Sequence, residues 1–175
     1  MKDKKIYYLV LNALFIALVF LATEFVQIRL PISINGGLVH LGTAALFIIA
    51  LNFGPRCGAI AGAFGMALFD IFSGWLLWAP FTLVGRGIMG YIIGRMNPPE
   101  KKKNPAMMVI SIIISSAIMI GVYYICEGVL YGNWVAPVNS IPGNLMQVVI
   151  GTAVAFPVTA VMEKTGLKRT YMKYI

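Results

Sequence analysis

Between Lys5 and Glu24 the chain carries no charged side chain, and none occurs between Lys103 and Glu127 or between Glu127 and Glu163. Runs of this kind leave few folding options. A helix needs about 20 apolar residues to cross the hydrocarbon of a bilayer. Inside lipid, only helices and closed barrels satisfy their own backbone hydrogen bonds. The runs are continuous rather than alternating, which selects helices. The 175 residues are 59% hydrophobic and 11% charged, with a mean hydropathy of +0.85. Soluble domains carry about 25% charged residues. There is room for about six spans and no length for a separate soluble catalytic domain. The expected fold is an all-α membrane protein, a six-transmembrane-helix bundle forming a single integral domain over residues 1–175. The spans are expected near residues 6–27, 40–53, 56–73, 76–96, 106–130 and 140–162. The second is short for a bilayer.

The formal charge of +8 is unevenly placed. Lys2, Lys4 and Lys5 precede the first span, and Arg56 follows the second. Arg95, Lys101, Lys102 and Lys103 lie between the fourth and fifth, and Lys164, Lys168, Arg169 and Lys173 close the chain. The alternate loops hold only Arg29. Cytoplasmic loops concentrate Lys and Arg in this way, so both termini are expected in the cytoplasm. No basic stripe interleaved with aromatics remains for nucleic acid. The start MKDKK plus an apolar run resembles a signal peptide, but the run is longer than a usual h-region and lacks an A-x-A site. It is expected to stay as a first span. Cys57 and Cys126 fall a membrane thickness apart, too far for a disulfide.

Polar residues within the spans fall at one level. Rising about 1.5 Å per residue, Glu24 stands roughly 27 Å above Ile6 and Asp70 roughly 22 Å above the inner end of its span. Arg86 is near mid-membrane with a side chain long enough to reach outward. His40 and Thr43 share a face at the top of the second span, Asn144 and Gln147 share one on the sixth, and Glu127 lies near the outer end of the fifth. Charge in lipid persists mainly beside a cavity or a partner. These residues are therefore candidates to line an outward-facing pocket for a small polar molecule. Each also has a plainer reading. Asp70 and Arg86 could pair with each other, Glu24 and Glu127 could be solvated, His40 could be a helix-start residue, and the amides could bond between helices. Trp75, Trp78 and Trp134, with Tyr123, Tyr124 and Tyr131, suit either an aromatic belt or stacking on a flat ligand.

Small residues form two surfaces: Ala13 and Ala17 on the first span, and Gly58, Ala59, Gly62, Ala63 and Ala67 on the third. Such faces let helices approach closely, within the bundle or against a partner. No G-x-x-x-x-G-K-[ST] is present for nucleotide hydrolysis. His40 is the single histidine, so no zinc pattern exists, and no serine-nucleophile motif occurs. Neither an enzyme nor a cofactor is expected. An intramembrane carboxylate can also titrate, which keeps an autonomous proton-coupled carrier as the alternative.

His40-Leu41-Gly42, Phe53-Gly54-Pro55, Asp70 ahead of Ser73-Gly74, and Thr82-Leu83 ahead of Arg86 carry a family likeness. With six spans and the Ala13/Ala17 motif, the chain resembles the substrate-binding (S) components of energy-coupling factor (ECF) vitamin transporters. The resemblance implies capture of a vitamin or precursor from outside, without catalysis. It implies partnership with a transmembrane coupling subunit and two ATPase subunits. Ala13 and Ala17 would form the docking face, Pro31 to Val39 a lid over the pocket, and the loaded subunit would topple in the membrane. The branch it looks most like takes vitamin B6 (pyridoxine) or hydroxymethylpyrimidine and is related to riboflavin S components. Such rings suit Asp70, Arg86, Asn144, Gln147 and the nearby tryptophans.

Overall fold

The computed structural model describes residues 2–29 and 38–165. Six helices follow one another: α1 Lys2–Phe25, α2 Gly42–Phe53, α3 Pro55–Phe72, α4 Ala79–Met96, α5 Pro105–Tyr131 and α6 Ile141–Thr165. Two short strands, β1 Gln27–Arg29 and β2 Leu38–His40, pair antiparallel between α1 and α2, with Ile28 opposite Val39. A 3-10 turn, Ala136–Ser140, leads into α6. Four segments are long and apolar enough to cross a membrane: Lys4–Phe25, Pro55–Phe72, Pro105–Tyr131 and Ala136–Thr165. The helix α2 has 12 residues, about 18 Å of rise. The helix α4 is diluted by four glycines, Arg86 and Arg95.

The helix bounds differ from the expected spans by up to four residues, and three of the shifts have a local reason. The first helix stops at Phe25 rather than near Gln27, because Gln27 enters the ladder opposite His40. His40 is therefore a strand residue, and α2 begins two residues later at Gly42. The fourth helix starts at Ala79 rather than Leu76, since Trp78 and Ala79 donate backbone bonds to Trp75 and Leu76 in tight turns. Of the segment expected to act as a lid, residues 31–37 lie outside the described residues. So do Lys168, Arg169 and Lys173.

The helices α3 and α4 approach closely through glycine. A methyl group added at Gly90 would stand 2.2 Å from the Gly58 carbonyl oxygen, and one at Gly94 would stand 2.5 Å from the Gly54 carbonyl carbon. At Gly62 it would meet Leu46 at 2.3 Å and the Arg86 carbonyl oxygen at 3.0 Å. The glycines of the third span thus pack inside the bundle. The return from α2 into α3 turns on Gly54 at φ +89°, a conformation glycine adopts without strain, followed by Pro55 at the helix start, where its missing N–H costs nothing. The core between these helices is apolar, built on Leu46, Phe47, Ile49, Met66, Met89, Ile93 and Met119. Cys57 and Cys126 are both buried and unbonded to each other.

Polar ties stitch α2 to α6 at two levels. Thr43 Oγ1 donates to Gln147 Oε1 at 3.0 Å, and Asn52 Nδ2 donates to Thr159 Oγ1 at 3.0 Å. Interhelical bonds in membranes average about 0.6 kcal/mol. Thr159→Val should therefore lower stability by less than about 1.5 kcal/mol, as read by an unfolding titration in detergent. A larger loss would mean that the bond Asn52 keeps to the Ile48 carbonyl does not compensate for the one removed.

Candidate functional site

At the end of the bundle that carries the β-hairpin, five elements converge on one cavity of about 550 Å³, counted to its open mouth. The last turn of α3 supplies Phe69 and Asp70, and the turn after it Trp75 and Trp78. The helix α4 supplies Thr82 and Arg86, α5 Tyr123 and Glu127, α6 Asn144 and Gln147, and β2 Leu38 and His40. The spacing explains the convergence. Trp78, Thr82 and Arg86 are four apart, as are Tyr123 and Glu127, so each set shares a helix face.

Arg86 is buried and bonded on all three nitrogens. Nη2 donates to Gln147 Oε1 at 2.9 Å, Nη1 to Thr43 Oγ1 at 3.1 Å and Nε to Tyr123 Oη at 3.3 Å. The guanidinium also lies 5.4 Å from the centre of the Tyr123 ring, within range of a cation–π attraction. One side chain thereby ties α4 to α2, α5 and α6. Gln147 Nε2 in turn donates to the Leu38 carbonyl, which fixes β2 to the rim.

The carboxylates are placed differently. No ion pair joins Arg86 to Asp70, so the plainer reading of two residues locking each other does not describe their geometry. Asp70 is 9% exposed, and its Oδ2 is buried with no hydrogen-bond partner. Thr82 sits beside it and shares a 2.9 Å hydrogen bond with Tyr123 Oη. His40 Nδ1 is likewise buried without a partner. Glu127 Oε2 accepts from Ser140 Oγ at 2.7 Å. A buried polar atom without a partner costs free energy comparable to a lost hydrogen bond. Asp70 and His40 both line this one cavity.

Of the residues expected to gather, Asp70, Arg86, His40, Asn144, Gln147, Glu127 and Trp78 line the cavity. Thr43 lies beneath it, fully buried, holding Arg86. Two do not join. Glu24 accepts a hydrogen bond from Ser73 at 3.0 Å between the ends of α1 and α3, outside the lining. Trp134 is 54% exposed, tilted against Tyr124 and covering Gly128. Trp75, left open between a belt and a stacking role, also lines the cavity and meets Trp78 edge to face at 5.2 Å. Tyr123, expected only as a belt or stacking aromatic, and Thr82, expected only as part of the family likeness, also line the cavity. Their signal was the four-residue spacing to Glu127 and Arg86. Ala13 and Ala17 are exposed on the outer face of α1, and Ala13 borders a surface groove with Lys4, Tyr8, Asn12, Ile16 and Arg56. Among the described residues no group of His, Cys, Asp and Glu could hold a metal.

The family model of the ECF-type riboflavin transporter S component matches residues 3–164. This chain belongs to that family. It is a multi-pass plasma-membrane protein and the binding subunit of a vitamin-type transporter, a family of transporters rather than enzymes. The family works with a membrane coupling subunit and ATPases. The thiamine precursor transporter HmpT of Lactococcus lactis is 27% identical over 173 residues, 99% of this chain and 98% of its own length. A protein of Pyrococcus woesei is 29% identical over 137 residues, 78% of this chain and 90% of its own. The solved S component of a bacterial ECF transporter shares the fold with a TM-score of 0.68 at 15% identity, covering 92% of this chain and 98% of that one.

Proposed function

We propose that the cavity captures a small nitrogen heterocycle of the hydroxymethylpyrimidine or pyridoxine type for uptake by an ECF module. The observation that carries this is a cavity-lining carboxylate, Asp70, whose Oδ2 has no partner while every nitrogen of Arg86 is already bonded. Asp70 leaves an acceptor unpartnered in the lining, so the site suits a ligand that brings a donor. An exocyclic amine and a hydroxymethyl group on a small ring supply such donors. Trp75 and Trp78 offer faces for stacking. The full-length likeness to a thiamine precursor transporter points to the same class.

The basic loops put both termini in the cytoplasm, and the cavity then opens outward. Substrate contacts are assigned to Asp70, Glu127, His40, Asn144 and Trp78, with Arg86, Gln147 and Thr43 as the frame. The exposed Ala13 and Ala17 face of α1 is assigned to the coupling subunit, since an exposed small-residue surface suits close helix docking.

Calorimetry of the purified protein, without nucleotide, against 4-amino-5-hydroxymethyl-2-methylpyrimidine, pyridoxine, thiamine and riboflavin tests this reading. One-to-one binding is expected, tightest for the aminopyrimidine and then pyridoxine. No binding across the panel, or a preference for riboflavin, would overturn it. Uptake into liposomes by this chain alone, driven by a pH gradient, would instead establish the autonomous carrier.

A further inference from the structure

At the end of the bundle away from the β-hairpin, α1 and α3 begin side by side and leave a groove between them. Its volume is about 1150 Å³, counted to its open mouth. Three exposed cations, Lys4 and Lys5 of α1 and Arg56 of α3, stand where the helices start. Leu9, Ala13 and Ile16 of α1 and Ile60 of α3 continue the lining. Lys5, Leu9 and Ala13 are four apart, as are Arg56 and Ile60, so each helix shows one face, first basic and then apolar. Farther along the two helices touch, where a methyl group at Gly65 would meet Val19 at 2.7 Å and the Ile16 carbonyl oxygen at 2.9 Å. From Lys4 to Ile16 the helix rises about 18 Å. The hydrocarbon of one leaflet is about 15 Å deep.

The charge of the groove is one-sided. No carboxylate lines it, and among the described residues its three cations form no hydrogen bond or ion pair. Lys2 and Asp3 precede them with side chains outside the described ones, and their charges cancel. Arg56 also borders a neighbouring cavity with Arg95 and Glu100, which cancel in turn. The chain beyond Thr165 adds Lys168, Arg169 and Lys173 but no Asp or Glu side chain, so the groove repels it. A second copy on this face would bring like charges together.

The geometry points to an anionic phospholipid seated in this groove of the free subunit. Its phosphate lies among Lys4, Lys5 and Arg56, and one acyl chain follows Leu9, Ala13, Ile16 and Ile60. Basic pockets beside membrane helices hold anionic headgroups in this way, and the guanidinium fork matches phosphate oxygens. Phosphatidylcholine carries the same phosphate with its own cation, which the three basic side chains disfavour.

Native mass spectrometry of the detergent-purified full chain, titrated with phosphatidylglycerol or phosphatidylcholine of the same acyl chains, tests this. One phosphatidylglycerol should stay bound under activation that strips phosphatidylcholine. Each Lys or Arg near anionic lipid changes binding about fivefold, so Lys5→Gln with Arg56→Gln should weaken phosphatidylglycerol binding about 25-fold. Arg95→Gln with Lys102→Gln is the matched control, two exposed cations at the same end of the bundle but outside the groove. That pair should leave retention unchanged. Equal retention of the two lipids would overturn the inference. An equal loss from the control pair would also overturn it, by showing attraction to surface charge in general. So would a lipid-free dimer, which would put a second copy on this face.

Discussion

Asp70→Asn is expected to weaken ligand binding by about a hundredfold, close to 2.7 kcal/mol, without lowering thermal stability. Hydrogen bonds to charged groups contribute about 1.5–3 kcal/mol, and Asp70 Oδ2 has spare capacity for one. The same atom is uncompensated in the unliganded protein, where burying a polar group without a partner is costly. Replacing the carboxylate with a neutral amide removes part of that cost, so the melting temperature should stay level or rise. Calorimetry and thermal unfolding on the same preparation separate the two effects. A parallel loss of affinity and stability would mean that Asp70 holds the bundle together, and its assignment to the ligand would fail.

Gly90→Val should have the largest effect on folding. The first added carbon would sit 2.2 Å from the Gly58 carbonyl oxygen and 2.4 Å from the Gly58 carbonyl carbon. These are backbone atoms of the facing helix, so no rotamer change relieves the clash. Overpacking commonly costs 1–3 kcal/mol where side chains can shift; here α3 and α4 must separate, and a loss of more than about 3 kcal/mol follows. Arg86 would move with α4, so ligand binding should disappear as well. Gly121 is the matched control, because nothing lies within 4 Å of a methyl group there. Gly121→Ala should leave stability unchanged or raise it by up to about 1 kcal/mol through helix propensity. Unfolding in a detergent titration checks both variants. Equal stability of Gly90→Val and the unsubstituted protein would show that the helices pass with more room than the glycine contacts indicate.

The expected spans and the observed helices agree best where lipid sets the rule. The charge-free stretches before Glu24 and before Glu127 became α1 and α5 almost in full. That Asp70, Arg86, Asn144 and Gln147 fall at one level along their helices was also readable, because rise per residue in a helix is constant, and all four line one cavity. The β-hairpin was not. Its strands have three residues each, too few for an alternating pattern to show.

Glu24 and Glu127 mark the division most clearly. Both were expected near one level, yet Glu127 faces the cavity and Glu24 bonds to Ser73 outside it. Trp75 and Trp134 divide in the same way, one lining the site and the other exposed. Chain position along a helix fixes height in the bilayer, since the backbone repeats with a set rise. It leaves open the rotation of each helix about its axis, because that angle is settled by which side chains and glycines interlock with neighbours. The sequence by itself therefore determined that this protein is a bundle of membrane helices with polar groups at one level. The tertiary structure decided which of them meet: the glycine contact of α3 with α4 and the three bonds of Arg86 turn them toward a common cavity.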